Sequence, residues 1–589
     1  MSPSQIIALA TPVFFVLIAV EYAIGRHRGR NTYRLDDAIT SIGLGMLSQV
    51  SAVFTRLLRV GIYTAVYGAV ALAPDTGFWT SWGGWLLALA FYDFCYYWHH
   101  RLSHESAVFW AAHVVHHQSQ DYNLSTALRQ TSSGALFGWV FYLPMALAGV
   151  PPLVFAVVAL IDLLYQYWIH TQQVGRLGWF DRVFASPSNH RVHHAVNDRY
   201  LDRNYGGILI LWDRLFGTFE DEDPKEPCVY GTRSPLNSWD PLWANAEVYW
   251  ALAQDSWRAR HWGDKLRVWL KPPGWRPADV AARFPKPGFE LARVRTYAPA
   301  MSPAVRWFAA LQFALLLAGA AAFLWQADAW PLWRSGVWFA VLLAGLWAVG
   351  AAMQGRIGIG EALMLESAAL SMATAATGWE QAHQLFKPLT MLIALAVVAR
   401  ALRASPAALR GGPWLLAALT ASLAGDVFLL QDSLFLPGLA AFLLAHVAYL
   451  VLFRQGLPWL PSRRALLAVA AVGLLMYAVL WLGGLPPGLR APVAAYVLAI
   501  ALMAAQAIGR ASVLRDGPSL LVAAGAACFM ASDALLAMNR FVMPLPVSAF
   551  WVLSSYYVAQ CLMVAGMLRS GAALAGAPES PAAAGLPAR

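Results

Sequence analysis

Charged residues are scarce in this sequence. Asp, Glu, Lys and Arg together make up 13% of its 589 residues, whereas hydrophobic residues make up 59%. That composition excludes an ordinary soluble domain, and repeated apolar runs of about 18 to 22 residues match the hydrocarbon thickness of a bilayer. The sequence therefore predicts an all-α polytopic integral membrane protein.

Cysteine is rarer still. Cys95, Cys228, Cys528 and Cys561 are scattered along the chain and mostly lie within apolar runs. This distribution indicates neither a disulfide framework nor a thiolate metal site. Acidic residues are outnumbered, which leaves a net charge of +10. Because the Arg and Lys residues cluster between apolar runs, we attribute them to the positive-inside tendency of membrane proteins and predict no nucleic-acid partner.

The apolar runs predict the membrane-spanning segments. The first, at about 5–24, lacks a basic leader and is expected to be a retained span rather than a cleaved signal. Residues 38–73 are interpreted as one crossing, with or without an interfacial piece. The other runs lie at about 84–100, 132–149, 151–169, 306–325, 336–354, 359–378, 388–401, 413–431, 435–453, 465–482, 491–508, 519–537 and 547–568.

Basic loops alternate with loops that are poor in charge. The basic segment from Arg26 to Arg30 follows the first span, and the positive-inside rule therefore places it in the cytoplasm. The N-terminus is then expected outside, and the polar stretch 171–304 and the C-terminus in the cytoplasm. The tail 571–589 consists mainly of small residues and proline and is expected to be disordered.

Histidine is concentrated in one region, because ten of the fourteen histidines lie between His99 and His194. Residues three and four apart share a helix face, so the spacing aims several imidazoles at one point. The predicted ligands form three clusters, which are His100 and His104, then His113, His116 and His117, then His190, His193 and His194.

These three clusters predict two metal ions. Neutral imidazole is the commonest metal ligand in proteins, and eight such ligands are too many for one ion. Iron is favoured over structural zinc, because the clusters contain no cysteine. Solvated loop histidines are the competing interpretation, which three spaced clusters disfavour. Glu105, directly after His104, is a candidate ligand, orienting group or solvated acid.

The C-terminal apolar runs contain polar residues that a membrane span seldom holds. An ionisable group inside a span costs at least about 2.5 kcal/mol, so these residues are functional candidates by default. A structural ion pair between Lys387 and one aspartate is the alternative, and the residues alone leave both interpretations open. The set comprises Lys387, Asp426, Asp432, His446, Asp533, Asn539 and Arg540.

The motifs HRLSH, HVVHH and HRVHH, with NYGGILILWDRLFGTF after the third, resemble the fatty acid hydroxylase / sterol desaturase superfamily of membrane di-iron oxygenases. The segment from HRLSHE to DYNLSTALRQ is similar, more narrowly, to the alkylglycerol monooxygenases, which cleave the ether bond of alkylglycerols with tetrahydrobiopterin. This resemblance covers about residues 1–300. It implies dioxygen as a reactant, two iron ions as cofactors, and an electron donor that is tetrahydrobiopterin or another reductant.

The same resemblance assigns roles to residues of this sequence. It implies that the eight cluster histidines are the iron ligands and that Glu105 is needed for activity. His170, in IHTQQVGRLG, resembles a family position that can complete the cage. His99 occupies a position that the family leaves variable, and we expect it to support the ligands from behind.

The motifs FKPLTM, ASLAGDVFLL, FLPGLAAFLLAHVAYL and ASDALLAMNRF resemble the YhhN family, whose animal members include lysoplasmalogenases. This resemblance covers about residues 380–570 and implies hydrolysis of lysoplasmalogen vinyl ethers without a metal or redox cofactor. Such hydrolysis needs a carboxylic acid that protonates the vinyl carbon and a carboxylate that activates water. Asp426 and Asp533 can divide these roles, with Lys387 and His446 as further site residues, and which aspartate is the acid stays open.

We therefore expect a histidine-box di-iron hydroxylase bundle at 1–300, connecting helices at 301–378 and a lysoplasmalogenase-like helical bundle at 379–570. The predicted protein is a bifunctional membrane enzyme that releases fatty aldehydes from alkylglycerol lipids and lysoplasmalogens. One alternative is a sterol, carotenoid or fatty-acyl hydroxylase fused to an unrelated membrane domain. Another is a transporter whose histidines sense a metal.

Overall fold

A computed structural model of the chain describes residues 3–72, 76–404 and 411–574. It divides into two compact units, a front unit at Met1–Gly355 and a back unit at Arg356–Arg589. Helices account for almost all regular structure, and within the described residues the β-structure consists of two isolated bridges. The all-α prediction is confirmed.

The front unit alternates long helices with short ones. A π-turn at Leu57–Gly61 and 3-10 turns at Gly134–Leu136, Gly138–Tyr142 and Leu291–Arg293 join them. Its helices are α1 (Pro3–His27), α2 (Leu35–Arg56), α3 (Ile62–Val70), α4 (Thr76–Trp79), α5 (Trp82–Glu105), α6 (Ala107–Ala111), α7 (Val114–His117), α8 (Leu124–Ala127), α9 (Leu143–Leu147), α10 (Pro152–Trp168), α11 (Phe180–Val183), α12 (Pro187–His193), α13 (Leu211–Phe216), α14 (Pro241–Arg258), α15 (Trp262–Leu270), α16 (Ala278–Arg283), α17 (Pro303–Gln326) and α18 (Leu332–Met353).

The back unit consists of long helices joined by short loops. They are α19 (Ile359–Ala376), α20 (Glu380–Ala404), α21 (Gly412–Phe428), α22 (Phe435–Arg454), α23 (Arg463–Leu482), α24 (Pro487–Leu514), α25 (Gly517–Phe541) and α26 (Ser548–Leu574), with a 3-10 turn at Asp432–Leu434. Of the tail predicted to be disordered, the last helix includes the first residues, through Leu574, and residues 575–589 lie outside the described residues.

Ten helices among the described residues are long and apolar enough to cross a bilayer, four in the front unit and six in the back unit. This agrees with the prediction of a multi-pass membrane protein. Helix α5 is not among the ten, although it has 24 residues, since Asp93 and three histidines interrupt its apolar character. It nevertheless packs against α10 and carries the first histidine cluster at its C-terminal end.

One predicted span differs from the structure. The run at 132–149 forms two 3-10 turns and the five-residue helix α9, too short to cross a hydrocarbon core of about 30 Å. Gly138 explains the departure in part, because a Cβ there would lie 2.8 Å from the His99 ring, so the backbone runs directly against α5. Pro144 and the Pro151–Pro152 pair then limit helix length.

Each unit has its own apolar core. In the front unit, α2 packs on α17 and α18 through residues such as Leu47, Phe313 and Leu346. In the back unit, α25 and α26 approach closely because Gly525 faces Ala559, where a Cβ would lie 2.9 Å from the carbonyl oxygen. Small residues at helix contacts are the usual means of close packing in membranes.

Two candidate sites, one in each unit

The front-unit site is a cage of nine histidines that form two groups. The ligand atoms within each group lie within 4.8 Å of one another. All nine histidines that the sequence singled out as ligands belong to one group or the other. The first group consists of His100, His104, His113, His117 and His193, and the second consists of His116, His170, His190 and His194.

Helical geometry explains how neighbouring histidines enter different groups. Successive residues of a helix are rotated by about 100° around its axis, since there are 3.6 residues per turn. His116 and His117 on α7 therefore point apart, one into each group. Residues four apart converge instead, as His100 and His104 do at the end of α5.

Backbone carbonyls orient four of these rings. A ring that donates its Nδ1–H to a carbonyl keeps the lone pair of Nε2 for a metal. Nδ1 of His104 lies 3.3 Å from the carboxylate of Asp202. The four carbonyl contacts are His100 to Tyr205 at 2.8 Å, His116 to Arg129 at 2.9 Å, His170 to Gln166 at 2.7 Å and His193 to Arg203 at 2.9 Å.

The donor set fits two metal ions. Burial lowers the pKa of His116 to about 4, and burial with neighbouring histidines lowers the pKa of His113 well below its usual range, so both are neutral ligands at pH 7. The Nε2 atoms of His104, His193 and His194 are buried without a hydrogen-bond partner among the described residues. Converging lone pairs of this kind can bind a cation, and imidazole ligands suit iron.

Two buried aspartates that were not among the predicted site residues hold the loop beneath the first cluster. Asp93 accepts hydrogen bonds from the Ile208 and Leu209 amides at 2.7 and 2.9 Å and from the Trp212 indole at 2.9 Å. Asp213 accepts the Tyr205 and Gly206 amides at 2.8 and 2.7 Å. An aspartate inside the apolar run of α5 is the signal in the sequence that points to Asp93.

Arg129 plays a similar part for the second cluster. Its guanidinium is fully buried and donates to the Val115 carbonyl at 2.7 Å, while its own carbonyl accepts His116. Gln118 accepts a further hydrogen bond from Arg129 at 3.3 Å. The ALRQ end of the segment DYNLSTALRQ thus supports a ligand histidine, although Arg129 was not predicted to do so.

Glu105 and His99 lie outside both histidine groups. The Glu105 side chain is 42% exposed and pairs with Arg101 at 2.9 Å. The His99 ring stacks on Phe141, with centroids 5.0 Å apart, and adjoins Gly138.

The back-unit site contains two carboxyl clusters. In the first, Lys387 Nζ lies 3.7 Å from Asp426 Oδ1, and the Tyr556 hydroxyl donates to Asp426 Oδ2 at 2.7 Å. In the second, the Tyr496 hydroxyl donates to Asp533 Oδ2 at 2.7 Å, and His446 Nε2 lies 3.2 Å from the same oxygen. The four site residues predicted from the sequence thus form two pairs, Lys387 with Asp426 and His446 with Asp533.

Phe529 lies between the two carboxyl clusters. Its ring centroid is 4.7 Å from that of His446 and 5.4 Å from that of Tyr556.

Tyr496 received no role from the sequence, because a tyrosine in an apolar run resembles an ordinary core residue. The remaining polar candidates have other partners, since Asn539 caps the amide of Leu545.

An apolar cavity of about 440 Å³ lies between α22, α23, α24 and α25. Aliphatic and aromatic side chains form nearly all of its wall. Asp533, Tyr496 and Arg540 are the polar side chains among the described residues that line it. Such a cavity suits an alkyl chain with one reactive polar point.

Comparison with known proteins assigns each unit to a family. The Fatty acid hydroxylase family profile matches residues 85–218, and the YhhN family profile matches residues 382–567. Over 313 residues the chain is 38% identical to alkylglycerol monooxygenase of Homo sapiens, covering 52% of this chain and 69% of the human protein. The Danio rerio alkylglycerol monooxygenase is 39% identical over 317 residues, or 52% of this chain and 68% of that protein.

The back unit has relatives of its own. Lysoplasmalogenase of Mycobacterium tuberculosis is 33% identical over 240 residues, which cover 38% of this chain and 84% of that protein. No solved structure matches the chain. The recognition of both families from their motifs is confirmed. The chain therefore belongs to the fatty acid hydroxylase family, as a relative of the alkylglycerol monooxygenases, through its front unit and to the YhhN family through its back unit.

Proposed function

We propose that the chain is a bifunctional membrane enzyme that cleaves ether lipids, with one reaction in each unit. The observation that carries the proposal is the division of nine imidazoles into two groups in the front unit, separate from the carboxyl clusters of the back unit. The names of the relatives, alkylglycerol monooxygenase and lysoplasmalogenase, support the two substrate classes.

In the front unit the substrate is an alkylglycerol lipid, and the carbon beside its ether oxygen is hydroxylated. One atom of dioxygen enters the C–H bond, and the other leaves as water with two electrons from a reductant and two protons. The hemiacetal then breaks its C–O bond and releases a fatty aldehyde and the glycerol lipid. Two iron ions held by the nine histidines supply the activation of dioxygen when they are bound.

The reductant of the front unit is tetrahydrobiopterin or another electron donor. Tetrahydrobiopterin is the donor that the resemblance of the histidine motifs to the alkylglycerol monooxygenases implies. The protein's own contribution is to keep the imidazoles neutral, oriented and shielded from water. The carbonyls of Tyr205 and Arg129 and the carboxylates of Asp93 and Asp213 perform the orientation.

Glu105 acts as a positioning residue in this proposal. Its carboxylate holds Arg101, which donates to the Tyr97 hydroxyl at 3.3 Å. That hydroxyl lies 3.0 Å from the hydroxyl of Thr218, which donates to Asp213 at 2.6 Å. Glu105 is therefore connected through side chains to the carboxylate that supports the loop beneath the first histidine cluster.

In the back unit the substrate is a lysoplasmalogen, and its vinyl ether is hydrolysed without metal or redox cofactor. Protonation of the vinyl carbon and addition of water form a hemiacetal, which again collapses to a fatty aldehyde. The carboxyl groups available for these proton transfers are Asp533, with His446 as its partner, and Asp426, with Lys387 as its partner. The apolar cavity receives the alkenyl chain, which accounts for its aliphatic wall.

Arg540 recognises the phosphate of the lysoplasmalogen headgroup. It lies seven residues from Asp533 on α25, about 10 Å along the helix, and both residues line the cavity. Its ion pair with Asp432, at 3.2 Å, involves a carboxylate that is almost fully exposed, so a phosphate can replace it at small cost.

We propose that the N-terminus lies outside and that the histidine groups and the C-terminus face the cytoplasm, on the basis of the basic loops.

The helices at 301–378 connect the two catalytic bundles at 1–300 and 379–570. In support, the two family matches leave α17, α18 and α19 uncovered between them. The first two pack in the front unit on α2, and the third packs in the back unit on α20 and α26.

Oxygen isotopes test both reactions in one experiment. Purified full-length protein is incubated with an alkyl-lysophospholipid or a lysoplasmalogen, with ¹⁸O₂ or H₂¹⁸O, and the aldehyde is trapped at once by reduction. The aldehyde oxygen should come from O₂ in the alkyl reaction and from water in the vinyl reaction. Alkyl-ether cleavage without O₂, or vinyl-ether cleavage that requires O₂, would contradict the proposal.

A further inference from the structure

Of the two aspartates in the back-unit site, Asp533 and Asp426, one reaches the cavity. Asp533 lines it, its side chain is 17% exposed, and the neighbouring Tyr496 lines it as well. Asp426 is fully buried and lies on the other side of the Phe529 ring, among the partners of Tyr556. A substrate in the cavity therefore meets Asp533 first.

The polar contacts of the two carboxyl groups also indicate that Asp533 is the one available to a substrate. Lys387 and Tyr556 engage both oxygens of Asp426, one each. In contrast, both partners of Asp533 converge on Oδ2, so that Oδ1 takes neither hydrogen bond. Asp533 thus has an oxygen for substrate, whereas Asp426 has its two oxygens occupied by the protein.

His446 is suited to hold Asp533 in this arrangement. Its ring is fully buried, and Nδ1 has no partner among the described residues. An unpartnered N–H costs more than an unpartnered lone pair in an apolar interior, so the proton belongs on Nε2. Nε2 lies 2.9 Å from the Tyr496 hydroxyl and 3.2 Å from Asp533, and two donors thereby stabilise the Asp533 carboxylate.

From this geometry we infer that Asp533 alone carries out both proton transfers, first as acid and then as base. This inference rests on the proposed vinyl-ether hydrolysis. The protonated carboxyl gives its proton to the vinyl carbon remote from oxygen, where the π pair forms the new C–H bond and leaves an oxocarbenium ion. The Asp533 carboxylate then takes a proton from water as the water oxygen bonds to the cationic carbon.

The cycle balances without an oxidant or reductant. One water is consumed, the hemiacetal is formed, and Asp533 is again protonated for the next substrate. His446 and Tyr496 are positioning residues, because they act through the carboxylate and stabilise it after the first transfer. Asp426 and Lys387 form a charge pair behind Phe529 and take no part in proton transfer.

The test uses the purified full-length chain, without oxygen and with a chelator, and follows aldehyde release from alkenyl-lysophosphatidylethanolamine. Asp533→Asn should lower kcat by at least about 100-fold, as expected for loss of a positioned acid and base. Asp426→Asn alone leaves the buried Lys387 without its carboxylate partner. The matched variant is therefore the double change Asp426→Asn with Lys387→Met. The double variant should keep kcat within about tenfold of the wild-type value.

Two outcomes would overturn the inference. One is a double variant with the wild-type melting temperature that is as slow as Asp533→Asn, which would make Asp426 a proton-transfer group. The other is near-normal turnover by Asp533→Asn. A wild-type chain that releases no aldehyde under these conditions would instead refute the proposed hydrolysis itself, so the two failures are distinguishable.

The positioning residues have a test of their own. Tyr496→Phe and His446→Leu each remove one donor to Asp533 and should lower kcat with little change in KM. His446→Gln offers an N–H donor at a similar place and should recover much of the rate lost in His446→Leu. Equal loss of kcat in the Gln and Leu variants would contradict the role assigned to His446.

Discussion

The two sites of this protein are held in place by different parts of the chain. In the front unit, backbone carbonyls of loops and helix ends orient the histidines, as Tyr205 does for His100. In the back unit, the reactive groups lie inside long helices, where the backbone is already paired with itself. Side chains must then hold one another, as Tyr496 and His446 hold Asp533.

This difference should change how each site responds to substitutions. The front-unit cage draws its nine ligands from several segments, and five of them have a carbonyl or carboxylate partner of their own. Each carboxyl cluster of the back unit depends on a few side chains in an apolar interior, where an unpaired polar group is costly. Substitutions should therefore affect the two activities independently and in different ways.

The largest effect is expected from a ligand histidine. His193→Ala removes a buried ligand of the first group and should lower the iron content below the two ions per chain expected for the wild type. Oxygen-dependent alkyl-ether cleavage should be abolished, whereas anaerobic vinyl-ether hydrolysis should stay at the wild-type rate. Metal analysis and the two aldehyde assays measure this, with the exposed His261→Ala as control.

A loss of vinyl-ether hydrolysis in His193→Ala would mean that the two sites are not independent. Full iron retention would remove His193 from the ligand set.

A smaller effect on iron binding is expected from substituting Asp93, which supports the ligands of the first group. Asp93→Asn weakens the acceptor for three N–H groups beneath the first cluster. Loss of such an outer partner typically lowers metal affinity by about 10- to 100-fold. Iron retention during dialysis against a graded chelator should therefore fall between those of the wild type and His193→Ala. An unchanged chelator midpoint would show that the loop needs no carboxylate.

In the back unit, Arg540→Met should weaken substrate binding. Loss of the cation should raise KM for an alkenyl-lysophospholipid by about tenfold and leave kcat nearly unchanged, because Arg540 is remote from the reacting carbons. A neutral alkenylglycerol, which has no phosphate, serves as the control substrate and should show no change. Equal effects on both substrates would indicate that Arg540 acts on the cavity and not on the phosphate.

The smallest effect on metal content is expected from Glu105→Gln. Glu105 lies outside both histidine groups and forms a partly exposed pair with Arg101, so iron should remain at the wild-type amount. The free energy of unfolding should change by at most about 1 kcal/mol, as for other surface pairs. A loss of one iron in this variant would show that Glu105 is a ligand.

The membrane character, the two families and the residues of the histidine cage could be predicted from the sequence alone. These features depend on composition and on local spacing, and helical periodicity acts over a few residues whatever the rest of the chain does. The run at 132–149 was wrongly predicted to be a span, because hydropathy contains no information on the packing of Gly138 against the His99 ring.

How the remaining groups are used depends on the packing of distant segments. The contacts of Asp93 with residues more than a hundred positions away, and the buried place of Arg129, depend on how distant segments pack. The same holds for the two aspartates of the back unit, which look equivalent as sequence. The cavity exists because four helices leave a space between them, and their packing turns Asp533 toward that space while Asp426 faces Lys387.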